Sequence, residues 1–253
     1  WNKYRYCDLE DGFLQDLLLM KCLILASGFG TRLYPLTQKT AKCLLPYKGK
    51  PLISHIVEKI PDGIDISVTV NRKFAPQFKD WQNKIVRPVD LWIEPVDNEQ
   101  QMLGAIGSLD YWIKGNNIDD DLLVIAGDNY FSSDLSGFLS AFNRHDTLIA
   151  VYDIGNREEA RQFGVVRLDG AKVVDLTEKP VNPQSCLVST ACYALPSHII
   201  PLLDDYCKNI KRDNLGSFIS HLVKIDSVQG YVINGLWFDI GSVWHKLSDK
   251  QET

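Results

Sequence analysis

No stretch of the sequence approaches the roughly 20 apolar residues that a membrane-spanning helix needs. The longest candidate, "LLLMKCLILA" (17–26), is too short and is interrupted by Lys21. The segment before it is acidic, where a secretory leader would be basic. A basic excess is missing too: 27 Lys and Arg stand against 32 Asp and Glu, a formal net charge of −5. That argues against a nucleic-acid partner, though a phosphorylated small ligand needs only a few local cations. Cys7, Cys22, Cys43, Cys186, Cys192 and Cys207 form no CxxC pair, and no Cys/His cluster has zinc spacing. They read as reduced thiols of a cytoplasmic protein with no membrane contact. No internal repeat and no Pro/Ser-rich linker divides the chain.

What remains is an ordinary globular composition, with 253 residues of which 45% are hydrophobic and 23% charged. It suits one large domain. Residues 1–19 open on Trp and read as an N-terminal extension or the remnant of an upstream segment; a helix packed on the domain is the other reading. The domain proper is assigned to 20–253. From residue 20, short apolar runs alternate with helix-like segments. "KCLILA" (21–26), "IDISVTV" (64–70), "VDLWIE" (89–94), "DLLVIAGD" (121–128) and "TLIAVYD" (147–153) read as strands. "PLISHIVEKI" (51–60), "GAIGSLDYWIK" (104–114) and "LSGFLSAFNRH" (135–145) read as helices. This alternation predicts an α/β fold with a Rossmann-like, mostly parallel but mixed central sheet covered by helices on both faces. Beyond residue 155 the pattern changes to two antiparallel strands joined at Asp169–Gly170, a strand at 186–195, and helices after Pro196 and around 216–224.

The first strand runs into "SGFGTR" (27–32). A dinucleotide fingerprint needs G-x-G-x-x-G, but Leu33 stands at the third glycine position. A phosphate-binding G-x-x-x-x-G-K-[ST] loop is absent as well. Two glycines alone would be an ordinary turn. The added polar set is what points to an anion: Arg32 on the same loop and Lys42 in "KCLLP", both near the C-terminal end of a strand where open α/β sheets bind ligands.

The stretch "LILASGFGTRLYPLTQKTAKCLLPYKGKPLI" resembles the opening of the sugar-1-phosphate nucleotidyltransferases, the NDP-sugar pyrophosphorylases. Their pattern is G-x-G-T-R-x-x-P-x-T, a spacer, K-x-L-x-P and K-P. Most members have Ala or Gly where Ser27 stands. "LGAIGSL" (103–109), "AGDNYF" (126–131), "FGVV" (163–166), "TEKP" (177–180) and "WFDIGS" (237–242) follow in the family's order, so the resemblance covers about residues 20–246.

The resemblance implies the nucleotide-diphospho-sugar transferase fold and attack of a sugar-1-phosphate oxygen on the α-phosphorus of a nucleoside triphosphate, with departure of pyrophosphate. It implies Arg32, Lys42, Asp128 and Lys179 as catalytic residues, and Asp128 and Asp239 as ligands of Mg²⁺. Leu25, Ala26, Gly28, Gly30, Thr31 and Gly104 would line the nucleotide, while Gly164, Glu178 and Lys179 would receive the sugar phosphate. Thymidylyl- and uridylyltransferases commonly carry Gln about five residues before the glycine matching Gly104. Here that count falls on Glu99, with Gln100 next, so the base is open. The wording "NEQQMLGAIG" leans toward a pyrimidine, dTTP or UTP, with glucose-1-phosphate. Carboxylate recognition of guanine, a phosphocholine acceptor and a non-catalytic nucleotide-sugar sensor are the alternatives. A homo-oligomer is compatible with all of them.

Overall fold

A computed structural model describes residues 20–209 and 214–242. The assignment of 1–19 as an extension lies outside these residues. Strands β1 (Met20–Leu25), β4 (Asp65–Asn71), β5 (Asp90–Glu94) and β6 (Asp121–Ala126) form one half of a nine-stranded sheet. The other half holds β8 (Thr147–Asp153), β9 (Gly164–Asp169), β10 (Lys172–Glu178), β11 (Leu187–Leu195) and β12 (Val228–Val232), giving the order β5-β4-β1-β6-β11-β8-β12-β10-β9. Two short pairs stand apart, β2 (Pro46–Tyr47) with β3 (Lys50–Pro51), and β7 (Asn129–Phe131) with β13 (Trp237–Asp239).

The fold is the expected mixed α/β type, but the sheet divides into halves. From β5 to β6 every pairing is parallel, whereas β11 runs antiparallel to β6, β8 and β9. Strands β1 and β6 read "MKCLIL" and "DLLVIA", continuous apolar runs that only a sheet covered on both faces can bury. Helices α1 (Leu52–Val57), α2 (Ala75–Gln82) and α4 (Ser136–Ser140) send Ile53, Ile56, Phe78 and Phe138 into one core layer. Helices α3 (Gly104–Asn116), α6 (Ile199–Asn209) and α7 (Leu215–Ile225) send Leu109, Leu203 and Phe218 into the other. A four-residue helix, α5 (Arg157–Ala160), links β8 to β9.

This topology positions the site. From β1 the chain moves outward to β4 and β5, then returns to place β6 on the opposite side of β1. The order therefore reverses between β1 and β6, with Leu25 opposite Ala126 at the C-terminal ends of both. Loops leaving two such strands diverge and open a crevice between them.

Candidate active site

The loop after β1 begins at that reversal. Gly30 adopts φ +66°, and a side chain there would press on Thr37 and on Lys42 Cβ at 3.1–3.3 Å. Glycine thus permits a left-handed turn under close packing. Thr37 Oγ1 donates to Gly30 O at 2.7 Å and locks the loop. The chain then runs through short 3₁₀ turns, one of which, Lys42–Leu44, brings Lys42 back beside the end of β6.

Asp128 and Asp239 reach the same point from opposite ends of the sequence. Gly127 N donates to Leu25 O at 2.8 Å, which holds the turn after β6 against the end of β1. The β7–β13 pairing sets Asp239 opposite Asn129, and Ile240 N donates to Asp128 O at 2.9 Å. Asn129 is buried and anchors this ladder: its amide donates to Thr190 O at 2.6 Å and its oxygen accepts from Trp237 Nε1 at 3.1 Å.

The result is one ammonium between two carboxylates. Lys42 Nζ lies 2.5 Å from Asp128 Oδ2 and 3.1 Å from Asp239 Oδ1, with its side chain 12% exposed. Burial alone would lower the Lys42 pKa, but the charges of Asp128 and Asp239 and their hydrogen bonds hold it above the ordinary value. Burial pushes the Asp128 carboxyl up, yet Lys42 outweighs it, with help from Arg32, and leaves Asp128 below the usual range. Asp239 stays raised, because burial and the Asp128 charge exceed the pull of Lys42.

This donor set fits a hard divalent ion. Two carboxylates converge on one cation position, and Mg²⁺ is commonly held by one or two carboxylates together with substrate phosphates. No group of three or more His, Cys, Asp or Glu side chains is placed to hold a metal among the described residues. An ion held by Asp128 and Asp239 would complete its shell with other oxygen ligands, such as water or substrate phosphate.

Removing Lys42 would expose two like charges to one another. Lys42→Met is expected to lower the melting temperature at neutral pH. The carboxyl pair would then titrate above its unfolded values, so the stabilisation it contributes is present in acid and lost as pH rises. The melting-temperature deficit relative to wild type should accordingly shrink from pH 7 toward pH 4. A deficit that is independent of pH would contradict this account.

The cleft in front of the three side chains has a volume of about 310 Å³. Leu25, Ala26, Gly28, Gly30, Thr31, Arg32, Lys42, Gly104 and Asp128 all line it, so most of the residues picked from sequence come together. Asp239 joins through Lys42 and through Gly241, whose N–H donates to Asp239 Oδ1 at 2.7 Å. Glu178 stands beyond Leu215, a cleft residue, packed against the adjacent Gly216 and against Gly164. Lys179 is exposed, does not line the cleft, and holds a left-handed backbone with N donating to Phe163 O at 2.9 Å.

Glu99 and Gln100 lie elsewhere. They sit on an exposed 3₁₀ turn, Glu99–Gln101, where Glu99 accepts from the Tyr34 hydroxyl. Both face a neighbouring pocket lined with Lys73 and with Phe29, a residue that also lines the cleft. Besides Asp128, a second carboxylate residue lines the cleft, Glu94, the last residue of β5. It is 1% exposed, and its Oε1 has no hydrogen-bond partner. Burial raises its pKa, partly offset by the Ser108 and Ser27 hydroxyls. A larger open groove, about 1120 Å³, runs between Pro51–Asp62 and Trp81–Pro88; of the signature it takes Leu44, Lys50 and Pro51 but none of the residues assigned to catalysis, nucleotide, sugar phosphate or metal.

Residues 21–252 match the Nucleotidyl transferase family. The chain is 32% identical over 230 residues to the bifunctional protein GlmU of Methanocaldococcus jannaschii, covering 90% of this chain and 53% of that protein. It is 29% identical to a Sulfolobus acidocaldarius protein described as a mannose-1-phosphate guanyltransferase, covering 88% and 60%. The chain thus spans little more than half the length of these relatives. A structure described as a glucose-1-phosphate thymidylyltransferase from Bacillus anthracis, in complex with a sucrose, superposes with a TM-score of 0.76 at 22% identity. That superposition covers 92% of this chain and 96% of that one, and shows a shared fold. With its signature loop, its reversal-point cleft and this match along nearly all its length, the chain belongs to the nucleotidyl transferase family.

Proposed function

We propose that this chain joins a nucleoside triphosphate to a sugar-1-phosphate, releasing pyrophosphate and yielding an NDP-sugar. The observation that carries the reading is Lys42 between Asp128 and Asp239 at the mouth of a cleft built on a glycine–arginine loop. A phosphate oxygen of the acceptor attacks the α-phosphorus, a new P–O bond forms, and the bond to the pyrophosphate oxygen breaks. The nucleophile is already anionic, so the work is positioning and neutralisation. Arg32 and Lys42 supply fixed positive charge where negative charge accumulates on the leaving group. Asp128 and Asp239 would hold Mg²⁺, which supplies charge neutralisation across the phosphates when bound. Glu178 receives a sugar hydroxyl and Lys179 the acceptor phosphate, roles carried by the E-K-P match in the sequence.

The family wording leans toward a pyrimidine nucleotide with glucose-1-phosphate, while a relative described as a guanyltransferase supports purine use within the same frame. A purely sensory role is disfavoured by joint retention of Arg32, Lys42, Asp128, Lys179 and Asp239. The test is pyrophosphate release with UTP, dTTP, CTP, GTP and ATP against hexose-1-phosphates and phosphocholine, with and without Mg²⁺. Release with a sugar-1-phosphate is expected, and it should depend on the metal. No release with any pair would overturn the proposal, and release with phosphocholine alone would move the acceptor outside the sugars.

A further inference from the structure

We infer that Gln77 is a positioning residue for Lys42: its side-chain amide fastens the backbone just before Lys42 and so fixes where the ammonium stands. The inference rests on the nucleotidyl-transfer reading above and deepens it, since Gln77 lies outside both the signature stretch and the cleft lining.

The loop from Ser27 to Lys42 contains only short 3₁₀ turns of its own. The end of β4 and helix α2 hold it from outside, through three residues spaced three apart. Asn71, fully buried, donates from Nδ2 to Ser27 O at 2.8 Å and accepts from Phe74 N at 2.9 Å. The Phe74 ring packs on Phe29, with centroids 6.0 Å apart. Gln77, half-buried, donates from Nε2 to Lys39 O at 2.6 Å and accepts at Oε1 from Ala41 N at 3.2 Å. The loop is thus gripped at its start by Asn71 and Phe74, and at its far end by Gln77. The grip has a firm base: Phe78 and Trp81 of α2 are buried, and Trp81 Nε1 donates to Ser54 Oγ of α1 at 2.8 Å.

A surface glutamine ordinarily keeps its rotamer freedom in water, and Gln77 gives that freedom up. Its amide matches the backbone as a strand partner would, N–H to C=O and oxygen to N–H. Ala41 is 1% exposed, so its N–H depends on this partner. Ala41 O in turn accepts from Leu44 N at 2.9 Å, which pins the residue on both sides, and Lys42 comes next. The Lys42 ammonium reaches two carboxylates at 2.5 and 3.1 Å, so a small backbone shift alters both contacts. The β7–β13 ladder supports the carboxylates, and Gln77 is the corresponding support on the lysine side. Gln77 lines the open groove instead of the cleft, so it acts on the reaction through Lys42 and not by touching the triphosphate.

The test is Gln77→Met in the whole chain, which keeps length and helix propensity but removes both hydrogen bonds. With the nucleotide and sugar-1-phosphate that the wild type turns over, kcat is expected to fall about 10- to 100-fold, the scale on which misplacing a catalytic group by about 1 Å acts. KM for the triphosphate should stay at its wild-type value, because Leu25, Ala26 and Gly104 hold the nucleotide from other elements. In a Lys42→Met background, followed in single turnover with enzyme in excess, Gln77→Met should cost nothing further. A readout independent of activity is the alkylation rate of Cys43, which is buried beside Lys42 and lines the cleft. Read peptide by peptide, it should rise several-fold in Gln77→Met as the segment loosens. Gln77→Glu carries the same test should the Met variant not fold, because it sets an oxygen against Lys39 O and should lose kcat as well.

Wild-type kcat in a folded variant, a change confined to KM, an equal further loss without Lys42, or unchanged Cys43 reactivity would each overturn the assignment. Those outcomes leave nucleotidyl transfer intact. Absence of pyrophosphate release from the wild type with every pair would instead remove the reading on which the role of Lys42 rests.

Discussion

Asp128→Ala is expected to reduce turnover by about 10²- to 10³-fold or more, the loss typical of removing one preorganised charge from a water-excluded site. The fold should survive. Asp128 contributes its backbone oxygen to Ile240 N and its backbone to the turn after β6, and alanine retains both. Lys42 would keep Asp239 as its partner, so the variant leaves no isolated buried ammonium. The melting temperature is therefore expected to fall by only a few degrees. Asp128→Asn sharpens the test, because it preserves size and one oxygen but removes the charge. If Asp128 merely shaped the turn, Asn would restore activity. If its charge is the functional feature, Asn fails nearly as badly as Ala. Pyrophosphate release and thermal melting of both variants separate the two cases, and wild-type turnover in either one would sink the role assigned to Asp128.

The features legible in the sequence were those set by local chemistry. The turn at Gly28 and Gly30 and the arginine that follows are one contiguous signal, and the apolar runs of β1 and β6 announce buried strands directly. The meeting of Lys42, Asp128 and Asp239 is different. It depends on the β7–β13 ladder, whose two strands are only three residues long and too short to show a period. Only resemblance to a family grouped these residues beforehand. Helix α2 escaped for a related reason: "APQFKDWQ" is mostly polar, and only Ala75, Phe78 and Trp81 are buried on it.

The place of Glu94 in the cleft was not legible because counting residues assumes a regular path. Counting five back from Gly104 reaches Glu99, yet Asn98 caps a 3₁₀ turn there, and Glu99 and Gln100 line the neighbouring pocket. The available hint was a charged residue closing an apolar strand just before Pro95. Pro95 ends the strand, since it has no N–H to donate, and leaves that charge at the crevice.

Gly216→Ala should be the most informative change on the acceptor side, though the residue carries no chemistry of its own. It lies in the first turn of α7, where Asn214 caps the helix by accepting from Ser217 N at 2.8 Å. Glycine costs a helix about 1 kcal/mol relative to alanine, so its presence calls for a reason. The reason is Glu178. A methyl at Gly216 would stand 1.5 Å from Glu178 Oε1 and 2.6 Å from its Cδ, distances no side chain can occupy, and one at Gly164 would reach 2.8 Å from the same oxygen. Two glycines on separate elements thus make the slot in which this carboxylate lies. Filling one side with a methyl expels Glu178 while favouring the helix, so the melting temperature should hold or rise as acceptor use falls. Losing a hydrogen bond to a charged group predicts a drop of about 10- to 100-fold in kcat/KM for the sugar phosphate. Nucleotide affinity should be unchanged, because Leu215, the α7 residue that lines the nucleotide cleft, keeps its place. Glu178→Ala should reproduce the effect, and adding Gly216→Ala to it should cost nothing more, since the clash no longer has a partner. Additive losses in the double variant, or normal acceptor kinetics in Gly216→Ala alone, would show that the slot does not serve the acceptor.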